Sequence, residues 1–391
     1  MTASKKFDIL VIGGGILGIA HAYHCLKRGL RVALIEQHAW PQQATVRNFG
    51  QIVPSGMNRK WQLYGRRSLD LYQEIQREVD ITVRQQGSIY LASDAEEMQL
   101  LEELAHINRE EDYASTLWTQ KKCLSTYPEL KASYVKGGLF FPEEINLDPR
   151  QAARRIIQFC QAKYELAYFP STRVHELHRQ GGEVKARSTS GISFVGKKAI
   201  VCGGIETQSL FPEIFAAAEL DLVKLQMLEL MPQPQVQLPG SILTGWTIRR
   251  YESFQECPSY AEIKAREDAE AFHRRWGIHI LFKQSPDGSI ILGDSHEYEP
   301  LLPGTSPSFD QYPEVNDFMI REAKKIVDLP SWEVRRQWLG FYCQSRRSDI
   351  FHHIVDEHIH LITGIGGKGM TGSLGYAEVQ VDKLFYFPFS P

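Results

Sequence analysis

The segment Phe7-Asp8-Ile9-Leu10-Val11-Ile12-Gly13-Gly14-Gly15-Ile16-Leu17-Gly18 decides the fold of this chain. Its apolar first half predicts a buried strand, and the glycine pattern G-x-G-x-x-G that follows precedes a predicted helix, residues 16–27. In this pattern Gly13 allows a tight turn, Gly15 lets the backbone approach a pyrophosphate, and Gly18 lets the helix pack closely on the strand. The positive end of the helix would stabilise the phosphate charge.

A second apolar strand, residues 31–35, follows the helix and ends at Glu36. A carboxylate at this position, eighteen residues after Gly18, can accept hydrogen bonds from both hydroxyl groups of a ribose. Strand, glycine loop, helix, strand and acid together predict a dinucleotide-binding unit. The alternative is a glycine-rich turn in an ordinary α/β unit.

The composition is that of a soluble protein with more than one domain. The chain has 391 residues, and at roughly 150 residues per domain this predicts two or three domains. The net charge of −3 gives no reason to expect nucleic acid or an anionic membrane as a partner. We find neither an apolar run near the ~20 residues of a membrane span nor a secretory signal, so we expect a cytoplasmic protein. The six cysteines form no C-x-x-C pair, and no metal site is predicted.

The predicted elements change in character along the chain. Strands and helices alternate at first, and strands joined by longer, proline-bearing loops follow, which favours an antiparallel sheet in a second domain. The strands expected there are 223–231, 241–251, 278–283 and 290–296, the helices are 260–276 and 314–327, and a strand is expected at 82–92. The fold class is therefore α/β plus α+β. A discontinuous Rossmann-like domain (1–80, 145–220 and 333–391) would accompany a substrate domain with an antiparallel or mixed sheet (81–144 and 221–332).

A second glycine-rich loop, residues 364–369, lies between a predicted strand (359–363) and a predicted helix (370–384). In a doubly wound sheet such a junction places another helix N-terminus at the ligand crevice. That positive end could stabilise the negative charge of a reduced flavin at N1 and C2=O, whereas a nicotinamide enzyme needs only one such loop. The alternative is a tight turn with small residues for packing.

The chain resembles the superfamily of FAD enzymes that contains glycine oxidase, sarcosine oxidase and D-amino-acid oxidase. The opening unit, the run Ala-Thr-Val-Arg-Asn-Phe-Gly-Gln-Ile at 44–52, residues 198–204 and the C-terminal glycine loop carry the resemblance. The resemblance implies FAD across the Rossmann-like domain and a sheet domain that covers the flavin. Residues 46–50 and 293–298 resemble, more narrowly, the FAD oxidoreductases associated with phosphonate catabolism.

The resemblance also implies which residues bind the cofactor. Glu36 would bind the adenosine ribose, Val174 would lend backbone groups to adenine, and Gly340 stands where sarcosine oxidases attach FAD through a cysteine, so we expect noncovalent FAD. The full set is Gly13, Gly15, Ile16, Leu17, Gly18, Glu36, Gln37, Arg47, Asn48, Phe49, Gly50, Gln51, Val174, Cys202, Gly203, Gly340, Gly366, Gly367, Lys368, Gly369 and Met370.

The chain departs from the family pattern at the substrate. Tyr342 stands where the family often has an arginine that holds the substrate carboxylate, and Ile291 and Thr371 stand where sarcosine oxidases have lysines. Fast oxygen use and simple amino-acid binding are therefore less expected.

Five residues are candidates for the catalytic site. They are Tyr342, His296, Arg47, Gln51 and Arg346. The arginine pairs at 335–336 and 346–347 have guanidinium groups that suit phosphonate or carboxylate oxygens, although surface arginines are commonly solvated. His296 could hydrogen-bond an amine or an anion, or be structural. No acidic residue is an obvious base, and none is required if the amine arrives unprotonated.

The reaction implied is oxidation of a C–N bond, with hydride transfer to flavin N5 and hydrolysis of the imine. The substrate suggested by the narrower resemblance is an aminophosphonate such as N-methylated 2-aminoethylphosphonate, and the electron acceptor is oxygen or another oxidant. One alternative is an oxidase or dehydrogenase of glycine-like or D-amino acids. The other is a flavoprotein subunit without turnover of its own.

Overall fold

The computed structural model describes residues 5–386. The strands are β1 Lys5–Ile12, β2 Val32–Ile35, β3 Gln51–Ile52, β4 Ser88–Ala92, β5 Thr116–Thr119, β6 Gly137–Phe141, β7 Ile145–Asn146, β8 Ala167–Phe169, β9 Val174–Gln180, β10 Glu183–Ser188, β11 Ser193–Val201, β12 Leu220–Leu230, β13 Ser241–Leu243, β14 Leu281–Gln284, β15 Ile290–Gly293, β16 Glu297–Pro300, β17 Val334–Ser345, β18 Phe351–Val355 and β19 Ile359–Thr363. The α-helices are α1 Ile16–Lys27, α2 Arg59–Glu78, α3 Ala95–Glu110, α4 Gln120–Thr126, α5 Pro149–Tyr164, α6 Pro212–Ala216, α7 Gly245–Ile248, α8 Tyr260–Ala265, α9 Phe272–Arg275, α10 Pro313–Ile326 and α11 Gly369–Tyr386.

The first sheet is the Rossmann-like sheet that the opening sequence predicts. Its strand order is β18-β19-β11-β1-β2-β8, with β10 and β9 attached beside β11. Strands β19, β11, β1, β2 and β8 are parallel, so their carboxyl ends lie at one edge. Gly13, Glu36, Cys202 and Gly364 each follow one of these strands at that edge. Helices α1 and α11 begin beside it.

The second sheet is mostly antiparallel, as the long proline-bearing loops indicate. Its order is β16-β12-β15-β14-β13-β4-β6-β5, and β17 pairs with β12. One boundary differs from the expected division, which grouped 333–391 with the Rossmann-like domain. Strand β17 pairs with β12 from Leu220↔Ser345 to Leu230↔Val334 and thus belongs to the second sheet. Val334, Trp338, Phe341 and Tyr342 favour an extended strand, and the pairing with β12 places that strand in the second sheet.

Two further elements of the second domain differ from the prediction. The strand expected at 241–251 ends at Leu243, because the Thr244 hydroxyl donates to the carbonyl of Ile280 and helix α7 begins at Gly245. The strand expected at 82–92 covers only β4, since Thr82 and Gly87 have positive φ angles that extended strands do not adopt.

The helix expected at 260–276 is instead two short helices, α8 and α9. Between them, the Asp268 carboxylate accepts a hydrogen bond from the backbone N–H of Glu270 at 2.9 Å, which forms a local turn that competes with the helix. Helix α5, by contrast, begins at Asp148-Pro149 as predicted. The side chain of Asp148 caps it by accepting from the N–H of Arg150 at 3.0 Å.

Among the residues that the structure describes, we find no helix that combines the length and apolarity needed to cross a membrane. The six cysteines are buried free thiols. The cytoplasmic location stays a prediction.

We expect Gly18→Val to destabilise the first sheet. A Cβ atom at Gly18 would collide with the carbonyl oxygen of Gly13 and approach Val11 at 3.4 Å, so α1 would be pushed away from β1. The free energy of unfolding, measured by urea denaturation, should fall by about 3 kcal/mol. The control Lys27→Ala, on the same helix but partly exposed, should change it by less than about 0.5 kcal/mol. Equal effects of the two substitutions would contradict the packing argument.

Candidate active site

A cavity of about 520 Å³ opens at the carboxyl edge of the first sheet, and residues of both sheets line it. The two glycine loops meet there. A Cβ atom placed on Gly369, at the start of α11, would be 3.7 Å from the side chain of Ile16, at the start of α1. The two helix N-termini therefore converge on one cavity, as the sequence predicted from loops near opposite ends of the chain.

Most of the predicted site residues line this cavity. They are Gly15, Ile16, Leu17, Arg47, Asn48, Phe49, Gly50, Gln51, Cys202, His296, Gly340, Tyr342, Gly366, Gly367, Lys368, Gly369 and Met370. The segment 44–52 is tied to the first helix, because the Thr45 hydroxyl accepts a hydrogen bond from the N–H of Ile16 at 2.8 Å. The ammonium group of Lys368 is already paired with Glu252 at 2.7 Å.

The remaining predicted residues lie outside the cavity lining. Gly13 and Gly18 act through packing: Gly13 has a φ of +102°, and a Cβ atom there would collide with the carbonyl of Cys202. Glu36 is buried, and its carboxylate accepts from the N–H groups of Gly14 at 2.7 Å and His38 at 2.9 Å. The others are Gln37, which is exposed, Val174, which is buried at the start of β9, Gly203 and Arg346.

The arginines expected at the substrate lie elsewhere. Strand β17 ends at Ser345, and Arg346 beyond it is exposed and pairs with Asp221 at 3.2 Å. Arg347 pairs with Glu219, and Arg335 and Arg336 both pair with Glu229. The choice of Arg346 as a catalytic candidate is therefore corrected.

Arg250 is the arginine of the cavity wall that sequence reasoning missed. Its Nη1 donates to the carbonyl of Gly277 at 2.9 Å and its Nη2 to the hydroxyl of Tyr298 at 2.7 Å. Within residues 5–386 we find no carboxylate at ion-pair distance from it. The sequence predicts one strand over 241–251, and that prediction gives no reason to choose Arg250 over Arg249. In the structure Arg249 pairs with Asp94, Glu96 and Glu97.

Two histidines and an aspartate form a buried polar cluster on the same wall. The Asp294 carboxylate lies 2.7 Å from Nε2 of His279 and 3.8 Å from Nδ1 of His296. Nδ1 of His296 also lies 3.1 Å from the carbonyl of Gly277, so it carries the proton that it donates there, and Nε2 is left as an acceptor. Ligand-type atoms of these three side chains lie within 4.8 Å of one another, a grouping that the sequence analysis did not identify.

The charges of this cluster follow from its burial. Burial, together with the charge of Arg250, lowers the pKa of His296 to about 3, so its imidazole is neutral near pH 7. Burial alone would raise the pKa of Asp294, but His296, His279 and Arg250 hold that pKa below its ordinary value. Burial raises the pKa of Tyr342 well above its ordinary value, so the phenol stays protonated and can donate a hydrogen bond. The wall thus presents the cation Arg250, the anion Asp294, the neutral hydrogen-bond acceptor His296 and the neutral donor Tyr342.

The charge of Asp294 should make stability depend on pH. Because its folded pKa is lowered, it contributes stability above the unfolded pKa, about 4, and this contribution is lost as pH falls through the folded pKa. Asp294→Asn should therefore lower the free energy of unfolding at pH 7 by about 1–3 kcal/mol. The gap to wild type should narrow below about pH 4. Urea denaturation at several pH values measures the free energy of unfolding of both proteins, with Asp310→Asn, an exposed position, as the control. If the difference between wild type and Asp294→Asn grew as the pH fell, the lowered pKa of Asp294 would be refuted.

Comparison with known proteins identifies similar chains. The chain is 23% identical over 221 residues to glycine oxidase of Bacillus licheniformis, an alignment that covers 54% of this chain and 57% of that protein, less than two thirds of its length. It is 27% identical over 394 residues to glycerol 3-phosphate dehydrogenase of Caloramator mitchellensis, which covers 97% of this chain and 74% of that protein.

Solved structures share the fold. Glycine oxidase from Bacillus cereus ATCC 14579 aligns with a TM-score of 0.76 at 17% identity, over 97% of this chain and 94% of that one. The sequence model of one family, described as DAO, FAD dependent oxidoreductase, matches residues 8–382. With two helix N-termini at one cavity and a match over nearly its whole length, the chain belongs to this family of FAD-dependent oxidoreductases.

Proposed function

We propose that this protein oxidises the C–N bond of a small amine that also carries an anionic group. One observation carries the proposal: one cavity wall combines Arg250, which has no carboxylate at ion-pair distance among residues 5–386, with the neutral acceptor His296 and the carboxylate of Asp294. Such a wall can hold an anion and an amine of the same molecule.

The cavity residues fit FAD. The backbone of Gly367 faces free space in the cavity. A Cβ atom placed on this residue would have the Tyr342 hydroxyl, 3.8 Å away, as its nearest neighbour. The buried Nε2 of Gln51 has no hydrogen-bond partner in the described structure and suits a polar atom of the flavin. Glu36 would hold the adenosine ribose, and the start of α1 the pyrophosphate. When bound, FAD supplies an isoalloxazine that accepts a hydride at N5.

Arg250 would hold the anionic group of the substrate. Its guanidinium has donors beyond those given to Gly277 and Tyr298, and a charge-assisted hydrogen bond to an oxyanion is among the stronger polar contacts. The phenol of Tyr342 can add a second donor. The names of two relatives support an anionic substrate, because glycine carries a carboxylate and glycerol 3-phosphate a phosphate.

His296 would orient the amine. With Nδ1 donating to the Gly277 carbonyl, Nε2 can accept a hydrogen bond from the amine N–H without taking its proton, because burial keeps the pKa of this imidazole at about 3. The Asp294 carboxylate, held by His279, would attract the amine in its ammonium form, so the amine must give up a proton before the hydride leaves. The nitrogen lone pair is then available as the C–H hydride leaves, and the resulting imine hydrolyses in water.

Within this class we propose an aminophosphonate, such as N-methylated 2-aminoethylphosphonate, as the substrate. The proposal rests on the resemblance of residues 46–50 and 293–298, on Tyr342 at the position of the family's carboxylate-binding arginine, and on Arg250, which forms no ion pair with the described residues. A glycine-like or D-amino acid is the alternative. We further propose that FAD is bound noncovalently and that the division into FAD and substrate domains holds, with residues 333–345 moved to the second.

Anaerobic titration of the purified holoprotein tests the function. The panel comprises N-methyl-2-aminoethylphosphonate, sarcosine, glycine, D-alanine, glycerol 3-phosphate and, as a control without an anion, N-methylethylamine. We expect loss of the visible flavin absorbance with the aminophosphonate and little change with the control. Preference for the amino acids would favour the alternative substrate, reduction by glycerol 3-phosphate alone would refute amine oxidation, and no reduction by any compound would favour a subunit without turnover.

Arg250→Met should weaken substrate binding. Losing a charge-assisted contact of about 2–3 kcal/mol should raise the substrate concentration for half-maximal flavin reduction roughly 30- to 140-fold. Arg346→Met, which removes an exposed arginine outside the cavity, should change it less than about twofold. Flavin content of each variant, from the visible spectrum, establishes that the FAD site is intact. If Arg346→Met had the larger effect, the assignment of Arg250 would be wrong.

A further inference from the structure

A second cavity, of about 450 Å³, adjoins the first. Asn48 lines both cavities, whereas its neighbours Arg47 and Phe49 line the first alone. The N-terminal end of α5, the end of β14 and part of β17 form its other walls. None of the roles assigned above uses this cavity.

The lining carries more positive than negative side chains. The cations are Arg84, Arg150, Arg155, Arg336 and Lys283, and the carboxylates are Asp80, Asp148 and Glu229. Asp80 pairs with Arg155 at 3.0 Å and with Arg84 at 3.5 Å, and Glu229 pairs with Arg336. Within residues 5–386, Arg150 and Lys283 have no carboxylate at ion-pair distance. Two cations of this cavity are thus left without an anionic partner.

Arg150 lies at the start of α5, is only partly buried and has charges of both signs around it. Its guanidinium lies 5.3 Å from the ring centroid of Trp338 and makes no hydrogen bond to the described residues. Partial burial lowers the pKa of Arg150 and the positive charges of Arg336 and Arg47 lower it further, whereas Glu229 and Asp148 raise it. A bound anion would add an opposite charge to a lining that has five cations and three carboxylates.

Two buried donors, Lys283 and Asn146, line the same cavity as Arg150. The ammonium of Lys283 is 3% exposed and donates to the carbonyl of Phe49 at 2.6 Å and to that of Leu147. Asn146 is 5% exposed, and its Nδ2 has no hydrogen-bond partner in the described structure. A buried amide N–H₂ without an acceptor is costly, and a bound acceptor would remove that cost.

We propose that the second cavity binds a small oxyanion of the phosphate or carboxylate type, with Arg150 and Asn146 as its donors. The site is coupled to the FAD cavity through two contacts. The indole N–H of Trp338 donates to the carbonyl of Arg47 at 3.1 Å, and Lys283 donates to the carbonyl of Phe49. Oxyanion binding therefore acts on the segment that borders the flavin.

The experiment titrates inorganic phosphate into the holoprotein by calorimetry at constant ionic strength, with chloride as the reference anion. Because Arg250 in the first cavity can also bind phosphate, the titration is repeated with Arg250→Met. We expect a binding event that survives Arg250→Met and that changes the visible spectrum of FAD. Arg150→Gln should weaken this event at least tenfold in both backgrounds.

Arg154→Gln is the matched control. Arg154 is also an exposed arginine of α5 whose guanidinium lies over a tryptophan, Trp40, at 4.6 Å, but it lies outside the cavity lining. Arg154→Gln should leave the phosphate affinity within twofold of the wild-type value. Asn146→Ala should weaken phosphate binding, as Arg150→Gln does. Equal effects of the two glutamine variants, loss of all binding in Arg250→Met, or no preference for phosphate over chloride would each overturn the proposal. The result is independent of whether any amine reduces the flavin.

Discussion

The close approach of α1 to β1 is the constraint on which the rest of this structure depends. It is possible only because Gly18 and Gly13 lack side chains where the helix, the end of β1 and the carbonyl of Cys202 meet. This packing brings the start of α1 to the carboxyl edge of the parallel strands. The start of α11 reaches the same edge after β19, so two helix N-termini present their positive ends to one cofactor.

The pairing of β12 with β17 gives this edge its second wall. β17 runs beside segment 47–51, which lines the cavity: Gly340 faces the backbone of Arg47, and the indole of Trp338 donates to the carbonyl of that residue. The sheet therefore holds Tyr342, Arg250 and the Asp294 cluster against a segment that belongs to the first domain. The contact joins the backbone of Arg47 to the indole of Trp338, and the Arg47 guanidinium donates to the carbonyl of Leu339 at 3.1 Å, so the two walls are held together by two side-chain hydrogen bonds.

Arg250 forms no ion pair with the described residues, although the charge of Asp294 in the same cavity wall raises its pKa. Most arginines of this chain that the sequence analysis considered are paired with carboxylates, whereas Arg250 has only neutral oxygens as hydrogen-bond partners. Leaving such a cation unpaired in a buried wall is unfavourable for folding alone. An anionic substrate would remove that cost, which links the local charge pattern to the choice of substrate.

The glycine loops, the apolar strands of the first sheet and the capped start of α5 are short-range patterns that the amino-acid sequence already predicts, and the structure has them. The polar side chains that face the cavity, by contrast, are fixed by tertiary packing. Arg250 follows a strand that turns into a helix, and β17 joins the second sheet through its pairing with β12. The physical reason is that pairing and burial depend on partners far away in the chain, whereas caps and tight turns depend on residues only a few positions away.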